Sequence, residues 1–177
     1  MKKFVIVGML LAALFGLVFA FMGTGKADAE KNAYLRVHIR ANSNSEEDQA
    51  VKYKVRDAVV EFLTPVVAEC ESKNEAIAEI TKKLPEAEKV AERVLEANGY
   101  SYGAKASIRK EEFPTRVYES VTLEAGVYDA LILELGTGKG DNWWCVVYPP
   151  LCFTSGNGNI VYKSKIAEII KKFFAEE

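Results

Sequence analysis

Leu35-Arg36-Val37-His38-Ile39-Arg40, set between Ala33-Tyr34 and Ala41, is the stretch on which the fold turns. Leu35, Val37 and Ile39 alternate with Arg36, His38 and Arg40. A period of two predicts a half-buried strand with one apolar and one polar face. Asn42-Ser43-Asn44-Ser45 breaks the pattern. Ser43 with Glu46, or Ser45 with Asp48, then places a hydroxyl three residues before a carboxylate, the reciprocal cap of a helix start. Val51, Val55, Ala58, Val59, Phe62 and Leu63 follow at helical spacing, and Thr64-Pro65 is expected to interrupt them, because a proline inside a helix removes a hydrogen bond.

Ser72 with Glu75 offers a second cap. Ile77, Ile80, Leu84, Ala87, Ala91 and Val94 form an amphipathic stripe, with a kink expected at Pro85, and Asn98-Gly99 supplies a left-handed helix end. The period then returns to two. Tyr102, Ala104, Ala106 and Ile108 alternate with Gly103, Lys105, Ser107 and Arg109. Phe113 to Tyr118 continues extended, Glu124-Ala125-Gly126 turns, and Val127 to Leu135 and Trp143 to Tyr148 are apolar strands. Beyond the glycine-rich stretch 155–159, a helix is expected over 160–174 with Ile166, Ile169, Ile170 and Phe173 inward. A strand, helices, a run of closely linked strands and a helix predict an α+β fold. It is one domain from about residue 33 to 177, a mainly antiparallel sheet packed with amphipathic helices.

In front of it Lys2 and Lys3 precede an uncharged run from Phe4 to Met22, and Ala27-Asp28-Ala29 has the small-x-small form of a signal-peptidase site. Residues 1–29 therefore read as a signal peptide cleaved at Ala27 and Ala29, or as an uncleaved N-terminal anchor helix. Both readings place the remainder outside the cytoplasm, since the lysines stay inside. Without residues 1–29 the chain keeps 20 basic and 24 acidic residues, a net charge of −4. No basic stripe points to nucleic acid, and contact with a membrane is expected only through the N-terminal segment.

Export changes the meaning of the cysteines, because disulfides persist outside the cytoplasm. Cys145 and Cys152 would close a loop of eight residues, contributing roughly 2–2.5 kcal/mol on the chain-entropy model. Two reduced, buried cysteines are the alternative. Cys70 is left over, packed on a helix.

The candidate chemistry is sparse. Gly136-Thr137-Gly138-Lys139-Gly140 lacks the spacing and the following helix of a phosphate loop, and reads as a hairpin loop. His38 is the one histidine. It would have to serve any Cys-His or Ser-His-Asp arrangement, and one histidine with two cysteines makes a poor zinc set. On the polar face of its strand it reads as a surface or partner-contact residue. Trp143 and Trp144 are adjacent and must point to opposite faces of a strand. An exposed tryptophan is a favoured interface anchor. His38, Arg40, Asn42, Trp143 and Trp144 are thus the candidate partner contacts. No catalytic, cofactor or metal residues are assigned.

Four blocks carry a resemblance. Leu35 through Gln49, with Lys52, Val55, Arg56 and Asp57, resembles the opening signature of the stage II sporulation protein R family. Phe113-Pro114-Thr115-Arg116-x-Tyr118 resembles its central motif and Ala125-Gly126-x-Tyr128-x-Ala130-Leu131 the next. Gly138-x-Gly140-x-Asn142-Trp143-Trp144-Cys145-Val146 through Pro149-Pro150-Leu151-Cys152-Phe153 resembles the last. The blocks follow the family's order over most of residues 35–153. The resemblance implies a secreted, non-enzymatic signalling protein of endospore-forming bacteria, exported into the space between the forespore and mother-cell membranes. Its implied partner is the membrane-embedded aspartic protease, stage II sporulation protein GA, which it activates to process pro-sigma-E to sigma-E. An exported thiol-dependent or wall-active hydrolase and an anchored envelope protein are the competing readings.

Overall fold

In the computed structural model, strand β1 (Leu35–Arg40) lies inside a four-stranded sheet rather than at its margin. The structure describes residues 32–118, 121–153 and 160–175. The signal or anchor segment 1–29, its cleavage positions Ala27 and Ala29, and the stretch 155–159 lie outside these. Tyr34–Glu177 forms one compact unit.

After β1 come helices α1 (Glu46–Val67) and α2 (Lys73–Ala97), then strands β2 (Ala104–Phe113), β3 (Arg116–Tyr118), β4 (Val121–Leu123), β5 (Gly126–Leu135) and β6 (Asn142–Tyr148). A 3-10 turn (Leu151–Phe153) and helix α3 (Ile160–Ala175) follow. The sheet order is β2-β5-β1-β6, and β3 and β4 pair as a separate ribbon. β1 runs parallel to β5, and the other pairs are antiparallel. The α+β class with a mainly antiparallel sheet is as expected.

The helix signals act where the sequence puts them. Ser45 caps α1, accepting from Asp48 N at 3.2 Å. Ser72 caps α2, accepting from Glu75 N at 3.2 Å. Gly99, at φ +84°, ends α2, and Tyr100 N returns to Leu95 O at 3.0 Å. Pro65 differs from expectation. Pro65 does not interrupt α1, which runs on to Val67. The missing N–H removes only the bond that the Glu61 carbonyl would receive, and Ala68 N still closes the turn on Thr64 O at 3.0 Å. α2 is one helix of 25 residues that contains Pro85.

The helices cover one face of the sheet. Leu35, Val37, Ile39, Leu131 and Leu133 meet Val51, Val55, Val59 and Leu63 of α1 and Ile80, Ala91 and Leu95 of α2 in one cluster. Each full burial of such a side chain contributes about 1.5–3 kcal/mol. Ile166 of α3 is buried in the same cluster, with Ile169, Ile170 and Phe173 partly buried against it, as their spacing predicts.

Two expectations are overturned. The polar face of β1 is not solvated: Arg36 is 0% and His38 2% exposed. Aromatic rings rather than water receive these side chains. The glycine-rich loop after β5 is not a hairpin either, because β1 lies between β5 and β6. The loop instead crosses the end of β1 and clasps it. Gly140 N donates to Ala41 O at 2.8 Å and Ala41 N to Asp141 O at 3.4 Å. Thr137 N donates to Asn42 Oδ1 at 3.0 Å, and Thr137 Oγ1 to Asn42 O at 2.7 Å. Lys52 Nζ reaches Asp141 O at 3.0 Å and joins α1 to the same loop.

The clasp requires glycine at 140, where a Cβ would collide with the Ser43 carbonyl. Gly140→Ala should cost about 3 kcal/mol, as displacement of packed backbone does. Gly99→Ala, strained in φ but facing open space, should cost about 1–2 kcal/mol. Urea denaturation measures both. Equal costs would mean that the loop does not grip β1 closely.

Candidate functional site

The face of the sheet away from the helices carries the polar residues of β1 in a graded layer. At its closed end the Arg36 guanidinium carbon lies 4.2 Å from the Phe113 ring centre, 4.8 Å from Tyr128 and 5.6 Å from Tyr118. Arg36 Nη2 donates to Tyr118 Oη at 2.7 Å, while Nε and Nη1 have no hydrogen-bond partner among the described residues. Burial lowers the pKa of this arginine, an effect the Tyr118 and Tyr128 hydroxyls partly offset.

His38 comes next. Its ring stacks on Trp144 with centroids 3.7 Å apart and planes 21° apart, and Phe113 meets Trp144 edge-on at 4.7 Å. His38 Nδ1 is 3.0 Å from Glu111 Oε1. Burial pushes the imidazole below its ordinary pKa, with Arg40 adding to the effect, against the opposing pull of Asn142 and Glu111. At the open end Arg40 bonds Glu111 and, at 2.9 Å, Glu134. Arg109 closes the network through Glu111 at 3.3 Å and Glu134 at 3.3 Å. Burial alone would raise the pKa of Glu111, but Arg40 and His38 outweigh it and hold the carboxyl below the usual range.

The five residues singled out as partner contacts therefore part company. His38, Arg40 and Trp144 gather on this face, since β1 and β6 pair His38 with Trp144 and Arg40 with Asn142. His38 is too buried to touch a partner in this conformation; it backs the half-buried Trp144. Trp143 points the other way, half-buried against the helix-side core, with the Arg56 guanidinium 5.5 Å from its ring. Asn42 is consumed by structure: besides its bonds to Thr137, Asn42 Nδ2 donates to Asp48 Oδ2 at 2.9 Å. Ser43 Oγ and Tyr102 Oη donate to the same carboxylate, each at 2.5 Å.

Sequence reading missed Glu111 and Glu134, the carboxylates that neutralise Arg40, and Tyr53. The alternation of β2 put Glu111 and Arg109 on one face, but nothing local tells which strand lies opposite. Cys145 and Cys152 form a disulfide. It ties β6 to the 3-10 turn. Cys70 lies buried just beyond α1, and burial pushes its thiol up to about 11. Among the described residues no group of three or more His, Cys, Asp or Glu could hold a metal ion. No described helix is long and apolar enough to cross a membrane.

Comparison with known proteins agrees with the four sequence blocks. The family model described as Stage II sporulation protein R matches residues 31–157, which include all six strands, both long helices and the disulfide. A curated relative of that name from Bacillus subtilis (strain 168) is 40% identical over 139 residues, covering 78% of this chain and 62% of the relative. The chain thus spans somewhat less than two thirds of that relative's length. No solved structure matches.

Two outcomes follow from this geometry. The folded state binds fewer protons at His38 than the unfolded chain does, because burial lowers its pKa. Stability from this group is complete above about pH 6.5 and is lost as pH falls below it. Glu111 adds its own loss only at lower pH, below the ordinary carboxylate range. His38→Gln should flatten the upper part of the acid limb in denaturation curves taken between pH 7 and 5; an unchanged slope would dismiss His38 as its source. Reduction of the disulfide, or Cys152→Ser, should cost about 2.5 kcal/mol on the loop-entropy model, read as a lower urea midpoint than the oxidised protein shows.

Proposed function

This chain belongs to the stage II sporulation protein R family, and from that premise we propose that it is an exported, non-enzymatic signal. Membership gives it a role in sporulation. On our reading the segment 1–29 carries it into the space between the forespore and mother-cell membranes, with or without cleavage after Ala29. There it activates the membrane-embedded aspartic protease, stage II sporulation protein GA, which processes pro-sigma-E. Family membership carries this reading.

The chemistry of the site supports it against a thiol hydrolase. Cys145 and Cys152 are joined and offer no thiolate. The buried Cys70 is pushed up to about 11 and stays protonated near neutral pH. His38, the sole histidine, has Nδ1 on Glu111 and one ring face on Trp144. What remains accessible is a surface bearing Trp144, Arg40 and Asn142, with Trp143 on the opposite face of the strand. A ligand of that kind activates a receptor by binding its active arrangement more tightly than its inactive one, which shifts the population. A hundredfold preference amounts to about 2.7 kcal/mol, within reach of one or two buried aromatic anchors.

Reconstitution tests the reading. The full chain added to membranes holding the protease and pro-sigma-E should stimulate cleavage, and Trp144→Ala should reduce the stimulation about tenfold or more, the loss expected of one interface anchor. No stimulated cleavage by the folded wild-type protein would overturn the activator function. Stimulation undiminished in both Trp143→Ala and Trp144→Ala would remove the tryptophans from the contact.

A further inference from the structure

The two outer strands of the sheet are finished differently. On β2, Ala106 N donates outward to Glu88 Oε1 of α2 at 2.8 Å. By alternation the backbone groups of Ile108, Lys110 and Glu112 also point outward. This edge is lined with Arg109, Lys110, Glu111 and Glu112 and followed by Pro114. Charges and proline are the devices that keep an edge from pairing with another strand.

β6 has no such protection: Asn142–Tyr148 contains neither a charged residue nor a proline. The bonds between Ala41 and residues 140–141 set its phase. Trp143 and Cys145, opposite Ile39 and Val37, turn their backbone groups toward β1, so those of Asn142 and Trp144 turn away. Among the described residues nothing bonds these outward groups. The later half of the strand, Cys145 to Tyr148, is buried, with the disulfide-held 3-10 turn packed against β6. The stretch that the described residues leave open is therefore Asn142–Trp144.

Anchoring side chains flank it on both sides. Trp144 lies on one face. On the other, the Arg56 guanidinium sits 5.5 Å from the Trp143 ring and 5.0 Å from that of Tyr53. Tyr53, 44% exposed, is one of three exposed large apolar side chains among the described residues. Tryptophan, tyrosine and arginine are the residues that dominate binding energy at interfaces. An open row of N–H and C=O groups is complemented by one kind of ligand, another extended backbone.

We propose that the Asn142–Trp144 edge of β6 receives an extended segment of the partner protease, which adds to the sheet as a fifth strand. Alternate side chains of that segment are apolar. Some pack on Trp143, Arg56 and Tyr53, and the intervening ones pack on Trp144. This docking mode rests on the activator function and makes it specific.

The test uses the full chain in the same reconstituted cleavage assay, with three variants whose disulfide and thermal transition match the wild type. Asn142→Pro removes an outward N–H at the first residue of the strand, where proline is tolerated. Tyr53→Glu alters an exposed side chain and leaves the backbone intact. Lys110→Pro makes the corresponding change on the opposite edge. Stimulation should fall about tenfold or more in Asn142→Pro and in Tyr53→Glu, and stay within about twofold of wild type in Lys110→Pro, a pattern that places the energy of an interface anchor at one edge. If the wild type stimulates cleavage and the first two variants do so equally, the edge is not the docking site although the activator function stands. If the wild type sediments as a dimer that Tyr53→Glu dissociates, the occupant is a second copy of this chain and the proposal falls. A wild type that stimulates nothing removes the activator function itself, and the docking mode with it.

Discussion

β1 is hydrogen-bonded along both edges and buried on both faces, and the rest of the molecule is arranged around that constraint. A strand so enclosed has no solvent to receive its polar side chains, so each must be met by protein. On one face the need is simple: Leu35, Val37 and Ile39 take the apolar sides of α1 and α2. On the other, three basic residues enter a layer that must be assembled from distant parts of the chain. Phe113, Tyr118 and Tyr128 surround Arg36, Glu111 and Trp144 meet His38, and Glu111 and Glu134 neutralise Arg40. The grading from aromatic cage to ion-pair network follows the depth of each residue.

Local signals in the sequence were decisive for elements and silent about neighbours. Ser45, Ser72 and Gly99 marked helix ends because caps are short-range chemistry. The alternation of residues 35–40 was a sound sign of a strand, yet the solvated face inferred from it was wrong. Arginine and histidine read as exposed only if nothing aromatic awaits them, and the waiting rings lie 77 to 106 residues further on, from Arg36–Phe113 to His38–Trp144. The same blindness made a hairpin of the glycine loop. Residues 136–140 look alike whether they join adjacent strands or pass over the end of a third. The parallel β1–β5 pairing appears in no local pattern, because register between strands is set by the sum of contacts and not by either strand alone.

The contact residues inferred from type were half informative for a related reason. Trp143 and Trp144 had to diverge, and they do. Each is half-buried rather than one buried and one free, since Arg56 and Tyr53 shelter the first and His38 and Phe113 back the second. Asn42 was chosen as a polar residue at a strand end, and that end proves to be a structural joint: its amide is divided between Thr137 and Asp48. Glu111 was unremarkable in sequence and becomes the hub that pairs His38, Arg40 and Arg109.

The central position of β1 also has a temporal side. Of the described strands it is the first to leave any pore or ribosome that delivers the chain N-terminus first, and its neighbours are the last two. Leu35 pairs with Asp129 and with Tyr148, so the first edge cannot close until 94 further residues have emerged and the second until 113 have. Pairings of that sequence separation are slow, because loop closure must precede any gain from contact. Until then α1 and α2 have no sheet to cover, and their apolar faces remain open. A chain wired this way can pair β5 with β2 and β1 first, and completes the enclosure of β1 only once β6 has arrived.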